Sequence, residues 1–169
     1  QDLSERRKAL ATIYDDIINE KKGRVVFVPT VKVDHDGYSD IRNKMECRSS
    51  VDVAGYSNDI NHVITLLANS ELLLGMRLHS LILATLLGKP IVPVSYCGKT
   101  KSYLELIGLE KLYLDIEELE TEEFAHSFKN NFDHVWNNQS LYSVQQRTAA
   151  ENLRNKALKN AKMVAELVD

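Results

Sequence analysis

Apolar residues recur at helical spacing along much of the chain, with short β-rich runs between the helical segments. Leu10, Tyr14 and Ile17 lie on one side of a helix predicted from about Leu3, which Gly23 ends. The run Arg24–Val28, stopped by Pro29, predicts the first strand. Further strands are predicted at 51–53, 72–74, 91–95 and, as an edge strand, 112–114. Further helices are predicted at about 40–47, 57–69, 77–87, 98–108, 121–137 and 140–168, with a polar loop at 33–40.

This alternation of strands and helices predicts an α/β fold with a doubly wound parallel sheet, because each parallel return needs a crossover of about a dozen residues. The 169 residues, 44% of them hydrophobic, suffice for one compact domain, so a single domain over 1–169 is expected. In such sheets ligands bind beyond the carboxyl ends of the strands. Three loops meet that description, at 29–40, 75–80 and 95–101.

Charge and cysteine content exclude several classes of function. Lys and Arg total 21 against 24 Asp and Glu, which leaves no broad cationic surface for nucleic acid. The two cysteines, Cys47 and Cys97, match neither a disulfide framework nor a zinc site and favour a reducing, cytoplasmic compartment. No apolar run is long enough for a transmembrane segment. Function is therefore expected from a local site.

The loop after the third strand carries the most informative polar residues. Gly75 permits close approach of the backbone to a ligand, Arg77 offers a planar fork for a carboxylate or phosphate, and His79 lies in the first turn of the next helix. Together they suit a small anion. The alternative is structural, with Arg77 paired to a neighbouring acid and His79 bonded to a backbone carbonyl.

The loop after the fourth strand, Ser95–Lys101, combines hydroxyls, a glycine and two lysines at a helix start, as a phosphate site does. Its spacing is not that of a Walker A motif. Lys99 is the better placed anion ligand, whereas Lys101 is expected to face solvent. Cys97 has no paired histidine evident in sequence and is interpreted as a buried small thiol.

Two other kinds of site are disfavoured. Asp34, His35, Asp36 and Asp40 are interpreted as a solvated turn rather than as metal ligands, so no metal is expected. No Gly-x-Gly-x-x-Gly follows a strand, which argues against dinucleotide binding.

The sequence Gly-Met-Arg-Leu-His at 75–79 resembles the C-terminal domain of the polysaccharide pyruvyl transferase family. The resemblance continues through Gly-Lys-Pro-Ile-Val-Pro-Val-Ser-Tyr at 88–96, Lys99, and Leu-x-x-Ile-Gly-Leu ending at Leu109. It implies a Rossmann-like domain, the C-terminal half of a GT-B-type fold. The chain would then be the C-terminal part of a longer two-domain protein, with an N-terminal acceptor domain as its partner.

The resemblance also implies the reaction and its residues. The domain would bind phosphoenolpyruvate and transfer its pyruvyl group, as a ketal, to a saccharide acceptor of a cell-surface polysaccharide. His79 and Arg77 would be catalytic, and Gly75, Arg77, Leu78, Ser95 and Lys99 would bind the donor, with no cofactor. Such an enzyme is expected in the cytoplasm, at the inner face of the membrane where the acceptor is lipid-linked. The isolated domain is expected to be inactive, because the cleft needs both domains.

Two alternatives stay open at this point. The first is the nucleotide-sugar half of a GT-B glycosyltransferase or a related epimerase. The second is a non-catalytic interaction module that uses a narrow apolar stripe on the last helix, at Leu153, Ala157, Ala161, Val164 and Val168.

Overall fold

A computed structural model describes residues 3–166 and confirms a mixed α/β chain with short parallel strands. The elements are, in order, α1 (Leu3–Lys21), β1 (Val25–Phe27), α2 (Asp34–Lys44), β2 (Val51–Val53), α3 (Ile60–Ala68), β3 (Leu73–Gly75), α4 (Leu78–Leu86), β4 (Ile91–Pro93), α5 (Gly98–Ile107), α6 (Glu122–Asn137) and α7 (Gln139–Ala165). Short 3₁₀ turns occupy Arg48–Ser50, Glu110–Leu112 and Ile116–Glu118. None of the helices within residues 3–166 combines the length and the apolar character that crossing a bilayer requires.

The described chain divides into two compact units. Unit 1 comprises the residues up to Leu66 together with Asp115–Lys129, and unit 2 comprises Leu67–Leu114 and the residues from Asn130 onward. Each unit contains one parallel strand pair, β1–β2 in unit 1 and β3–β4 in unit 2. A doubly wound sheet and a single domain over 1–169 stay predictions.

The core of unit 1 is built around Phe27 of β1. Its ring stacks on Tyr38 of α2 at a centroid distance of 5.0 Å and meets Tyr14 of α1 edge-on, also at 5.0 Å. Ile41 and Val51, both buried, belong to the same apolar cluster. Both helices therefore pack on the β1–β2 pair through aromatic contacts of favourable geometry.

Helix α2 corrects the expected polar loop at 33–40. The helix begins at Asp34 and ends at Lys44, whereas the predicted helix covered about 40–47. Acidic residues in its first turn stabilise it, because they interact favourably with the positive end of the helix dipole. Tyr38, Ile41 and Met45 are spaced three and four residues apart and pack into the unit 1 core. The surrounding polar residues hid this helical spacing in the sequence.

A buried carboxylate joins α1 to the chain that follows α2. Asp15 is only 8% exposed, and its two carboxylate oxygens accept hydrogen bonds from the backbone N–H groups of Glu46 and Cys47, each at 2.8 Å. This residue fixes the turn between α2 and β2 because no other contact satisfies both N–H groups among the described hydrogen bonds.

Unit 2 is a β3–α4–β4 crossover whose strands pair in parallel with Leu73 opposite Ile91. Leu81 and Ala84 of α4 are fully buried, as are Ile91 and Val92 of β4. The buried residues of α4 are Ser80, Leu81, Ala84 and Thr85, whereas His79 and Leu86 are exposed.

The edge strand predicted at 112–114 is wrong. Residues Glu110–Leu112 form a 3₁₀ turn, and only the Leu114 carbonyl behaves like a strand, accepting a 2.9 Å hydrogen bond from the Ser95 N–H. Leu112 and Leu114 are buried without a regular ladder. Their apolar alternation reflects packing in a turn.

Three consecutive residues of α7 dock that helix on unit 2. The Gln146 side chain is fully buried and accepts a 3.0 Å hydrogen bond from the Thr85 hydroxyl, while its Nε2 has no partner among the described residues. Gln145 donates to the Gly108 carbonyl at 2.9 Å, at the end of α5. The Arg147 side chain packs against Gly88, which has a positive φ and leaves no room for a Cβ.

The second half of α7 is exposed to solvent, unlike the segment that contains Gln146. From Glu151 to Glu166 every residue is exposed except the half-buried Leu153, so the expected apolar stripe does not pack on its own unit. The last member of that stripe, Val168, lies outside the described residues.

Replacing Asp15 by Ala is expected to lower the free energy of unfolding by about 2–4 kcal/mol, because two buried N–H groups lose a charged acceptor. Urea unfolding measures the change. Asp16→Ala is the matched control, since the neighbouring Asp16 is exposed, and it should stay within about 0.5 kcal/mol. Equal losses in the two variants would contradict the role of Asp15.

Candidate functional site

The candidate site lies where β3 and β4 end side by side in unit 2. The register places Gly75 opposite Pro93, so the two strands reach their carboxyl ends at the same level. Each strand leads into the N-terminus of a helix, α4 and α5 respectively. Free backbone N–H groups of such N-termini favour anions.

Arg77 and Tyr96 connect the two loops. The Arg77 Nη1 donates to the Tyr96 hydroxyl at 3.3 Å, and the guanidinium carbon lies 6.0 Å from the centre of the Tyr96 ring. Tyr96 is half exposed, and Arg77 is half-buried. The pair therefore presents a cation and a phenol at the surface of unit 2, held by a polar and a cation–π contact.

The backbone of Arg77 is fixed by the start of α4. Its extended conformation (φ −88°, ψ 131°) makes it the residue before the first helical one, and its carbonyl accepts from the N–H groups of Ser80 and Leu81 at 3.0 and 3.2 Å. The buried Ser80 hydroxyl donates to the same carbonyl at 2.6 Å. Arg77 is thus anchored at its main chain while its guanidinium reaches the neighbouring loop.

His79 lies in the first turn of α4 and is exposed, whereas Leu78 beside it is half-buried. None of the hydrogen bonds or ion pairs found within residues 3–166 involves the His79 imidazole. Among the described residues, His79 is therefore not bonded to a backbone carbonyl, as the structural alternative would require. A joint site of His79 with Arg77 stays a prediction.

Gly75 is buried, and its surroundings are those of a packing glycine. A Cβ built there would lie 2.4 Å from Cδ2 of Leu81 and 2.9 Å from Cδ2 of Leu73. The absence of a side chain lets α4 approach β3, which in turn sets the position of the first turn of α4. The prediction that Gly75 contacts a ligand stays untested.

The loop after β4 is organised by Ser95. Its hydroxyl is fully buried, accepts from the Cys97 N–H and donates to the Cys97 carbonyl, both at 3.2 Å. Lys99, in the first turn of α5, is exposed, and Lys101 lies over the Tyr113 ring at 5.8 Å. Ser95 therefore shapes the loop, while Lys99 is exposed to solvent and so, as expected, is Lys101.

Cys97 is half-buried, which corrects the expectation of an enclosed thiol. It precedes the first residue of α5, and its Sγ lies 3.5 Å from the hydroxyl of the buried Thr100. Hydrogen bonds from the Thr100 hydroxyl and N–H, and from the Lys99 N–H, lower the pKa of the Cys97 thiol. A helix N-terminus commonly has this effect on cysteine.

The acidic residues near the start of α2, in unit 1, find partners in their own unit. Asp34 accepts from the Thr30 hydroxyl at 3.3 Å, Asp40 pairs with Arg7, and Asp36 lies 3.6 Å from His35. Residues 3–166 contain no group of three or more His, Cys, Asp or Glu side chains arranged to hold a metal ion.

Tyr96 is the site residue that sequence reasoning missed. Tyr96 follows β4 by three residues, whereas Arg77 follows β3 by two, so the two residues are not at equivalent offsets. The offset of Arg77 leads to Ser95 on the paired strand. The sequence signal for Tyr96 is its place in the loop that follows β4, and this does not single it out among the residues of that loop.

A family model described as "Polysaccharide pyruvyl transferase" matches residues 2–98, more than half of the 169-residue chain. The matched range contains Arg77, His79, Ser95 and Tyr96 and stops one residue before Lys99. Neither a curated protein nor a solved structure matches.

The two free cysteines should differ in reactivity. Burial and the nearby Asp15 carboxylate raise the pKa of Cys47, whereas the hydrogen bonds at Cys97 lower its pKa. Because the thiolate is the nucleophile, iodoacetamide near neutral pH should alkylate Cys97 at least about fivefold faster than Cys47, and its rate should reach a plateau at lower pH. Peptide mass spectrometry follows both rates in one sample.

The variant Thr100→Val removes the hydroxyl that contacts Sγ while keeping the shape of the side chain. It should slow the alkylation of Cys97 and leave that of Cys47 unchanged. Similar rates at the two cysteines in the unmodified chain would refute the assignment.

Proposed function

The chain belongs to the polysaccharide pyruvyl transferase family, and from this premise we propose that unit 2 binds phosphoenolpyruvate at the ends of β3 and β4. The observation that carries the proposal is the meeting of Arg77 and Tyr96 across the two loops, beside the N-termini of α4 and α5. In this proposal the reaction transfers the pyruvyl group to a saccharide.

The donor has two anionic groups, a carboxylate and a phosphate, on a three-carbon enol. Its site needs two separate positive poles. Arg77 supplies one, in a planar form that matches either group, and its main chain is fixed by the first turn of α4. The second is the start of α5, where the helix dipole favours an anion and the Lys99 side chain is exposed. Tyr96 holds the guanidinium of Arg77 towards that second pole.

Ketal formation requires one proton delivery and two additions at the central carbon of the donor. In the proposed reaction His79, protonated, gives its proton to the methylene carbon, which becomes a methyl group. A sugar hydroxyl adds to the central carbon and returns a proton to His79. The bond between the central carbon and the bridging oxygen breaks, and phosphate departs with the electron pair. A second hydroxyl then adds to the central carbon and closes the ketal, and its proton passes to the departing phosphate. His79 thus acts as acid and then base.

Features of the described residues support these roles. His79 is exposed and can meet a substrate from solvent, while Leu78 is half-buried beside it. Arg77 offsets the negative charge that accumulates on the departing phosphate or the carboxylate. An acceptor held by a further domain would close the site, so we propose that this chain alone binds the donor without turning it over.

His79→Ala in the full-length protein should lower kcat for pyruvyl transfer by at least about 10²-fold, because the proton-transfer group is lost. His126→Ala is the control, since His126 is also an exposed histidine on a helix, and its activity should equal that of the parent protein. Phosphate release in the presence of the saccharide acceptor measures both. Full activity of His79→Ala with an unchanged melting temperature would refute the catalytic role.

Donor binding can be tested on the chain itself. Isothermal titration calorimetry should detect phosphoenolpyruvate, and Arg77→Ala should weaken its binding by about tenfold or more, as expected for loss of a charged hydrogen bond. Arg24→Ala removes an exposed arginine that pairs with Asp52 in unit 1 and should leave Kd unchanged. Tight binding of UDP without binding of phosphoenolpyruvate would overturn the proposal in favour of a nucleotide-sugar enzyme.

A further inference from the structure

The second half of α7 is an unpartnered helical segment, called here the C-terminal arm and defined as residues 152–165. All of its side chains are exposed except the half-buried Leu153. Leu158, Met163 and Val164 are 51%, 55% and 61% exposed. At about 1.5 Å per residue the arm is roughly 20 Å long. A helix of this length with large exposed apolar side chains is expected to have a binding partner.

The charge of the arm identifies the chemistry of that partner. The arm contains four cationic side chains, Arg154, Lys156, Lys159 and Lys162, and no acidic one, in a chain whose net charge is −3. None of the ion pairs found within residues 3–166 involves any of the four. The positive charge of the arm is therefore available to an anionic surface.

Three of the four cationic side chains lie apart from a narrow apolar strip of the arm. With about 100° of rotation per residue, the strip of Leu153, Ala157, Ala161 and Val164 spans about 80°. Arg154 lies at the edge of this strip with Leu158 beyond it, and Met163 lies among the lysines. Lys156, Lys159 and Lys162 fall on the other side or at its margins, where long stems can reach past the apolar strip. This distribution is typical of helices that lie in the headgroup region of a membrane.

Two other occupants fit less well. A second copy of the arm would bring four positive charges against four without an acid between them, which opposes pairing of two arms. A nucleic acid would use the cations and leave the apolar strip unpaired. An anionic bilayer satisfies both sides of the arm at once.

We propose that the C-terminal arm binds the surface of an anionic lipid bilayer. The apolar strip contacts the acyl boundary, and the lysines and Arg154 contact lipid phosphates. The inference rests on the arm alone and does not depend on the proposed reaction.

Co-sedimentation of the chain with lipid vesicles tests this inference. The chain should sediment with vesicles of phosphatidylglycerol and phosphatidylcholine in equal amounts, stay in solution with vesicles of phosphatidylcholine alone, and dissociate in about 0.5 M NaCl, where charges are screened within a few ångströms. The triple variant Lys156→Glu, Lys159→Glu and Lys162→Glu should raise Kd for the anionic vesicles by at least about tenfold.

The matched control reverses three exposed lysines outside the arm, Lys8→Glu, Lys32→Glu and Lys111→Glu, with the same change in net charge. It should bind like the parent chain. Ala161→Asn with Val164→Asn, which keeps every charge, should also weaken binding, because the apolar strip is interrupted.

Three results would overturn the inference. They are equal losses in the control and the arm triple variant, no binding of the parent chain to anionic vesicles, and arm-dependent dimerisation by light scattering in the absence of lipid. The last result would assign the arm to a protein interface. Circular dichroism of each variant confirms that the fold is retained.

Discussion

The parallel pairing of β3 with β4 is the constraint on which the candidate site depends. Its hydrogen-bonded register places Gly75 opposite Pro93, so that two loops from different parts of the chain begin at one level. Arg77 and Tyr96 follow these strands by two and three residues and meet across the two loops. The site therefore depends first on the pairing of the two strands, which brings the two loops together.

The packing around Gly75 reinforces the same geometry. Leu81 occupies the space that a side chain at position 75 would need, so α4 lies close to the strand that precedes it. A helix held this closely has its first turn in a fixed place, and with it the main chain of Arg77. The glycine of the Gly-Met-Arg-Leu-His sequence therefore acts first through packing, and its effect on the arginine is indirect.

Sequence reasoning located most helices and all four observed strands, because their apolar spacing was regular. The prediction failed where a polar segment packs on the core and where an apolar segment is not part of a strand. The start of α2 is rich in Asp and looks like a loop, but Tyr38 and Ile41 pack on the core and hold it helical. Leu112 and Leu114 are apolar without being paired, so a turn resembled an edge strand.

In the site, the sequence identified Arg77 from its position after a strand. Identifying Tyr96 as its partner requires knowing how two strands pair, and the spacing of residues along the chain does not contain that information. The exposure of His79 and the role of Ser95 in shaping its loop depend on side-chain direction, which the sequence pattern left open.

The buried hydrogen bond between Thr85 and Gln146 has a consequence for the far end of the chain. Gln146 is the fully enclosed amide of α7, flanked by Gln145 and Arg147, each of which contacts the end of a different helix. Turning α7 about its axis by a single residue would break the hydrogen bond between Thr85 and Gln146 and the contacts of Gln145 with Gly108 and of Arg147 with Gly88. The helical phase is thereby set at one point, and an uninterrupted helix transmits that phase along its whole length. The directions in which Leu158 and Lys159 point, three turns further on, are accordingly set by the contacts of α7 inside unit 2.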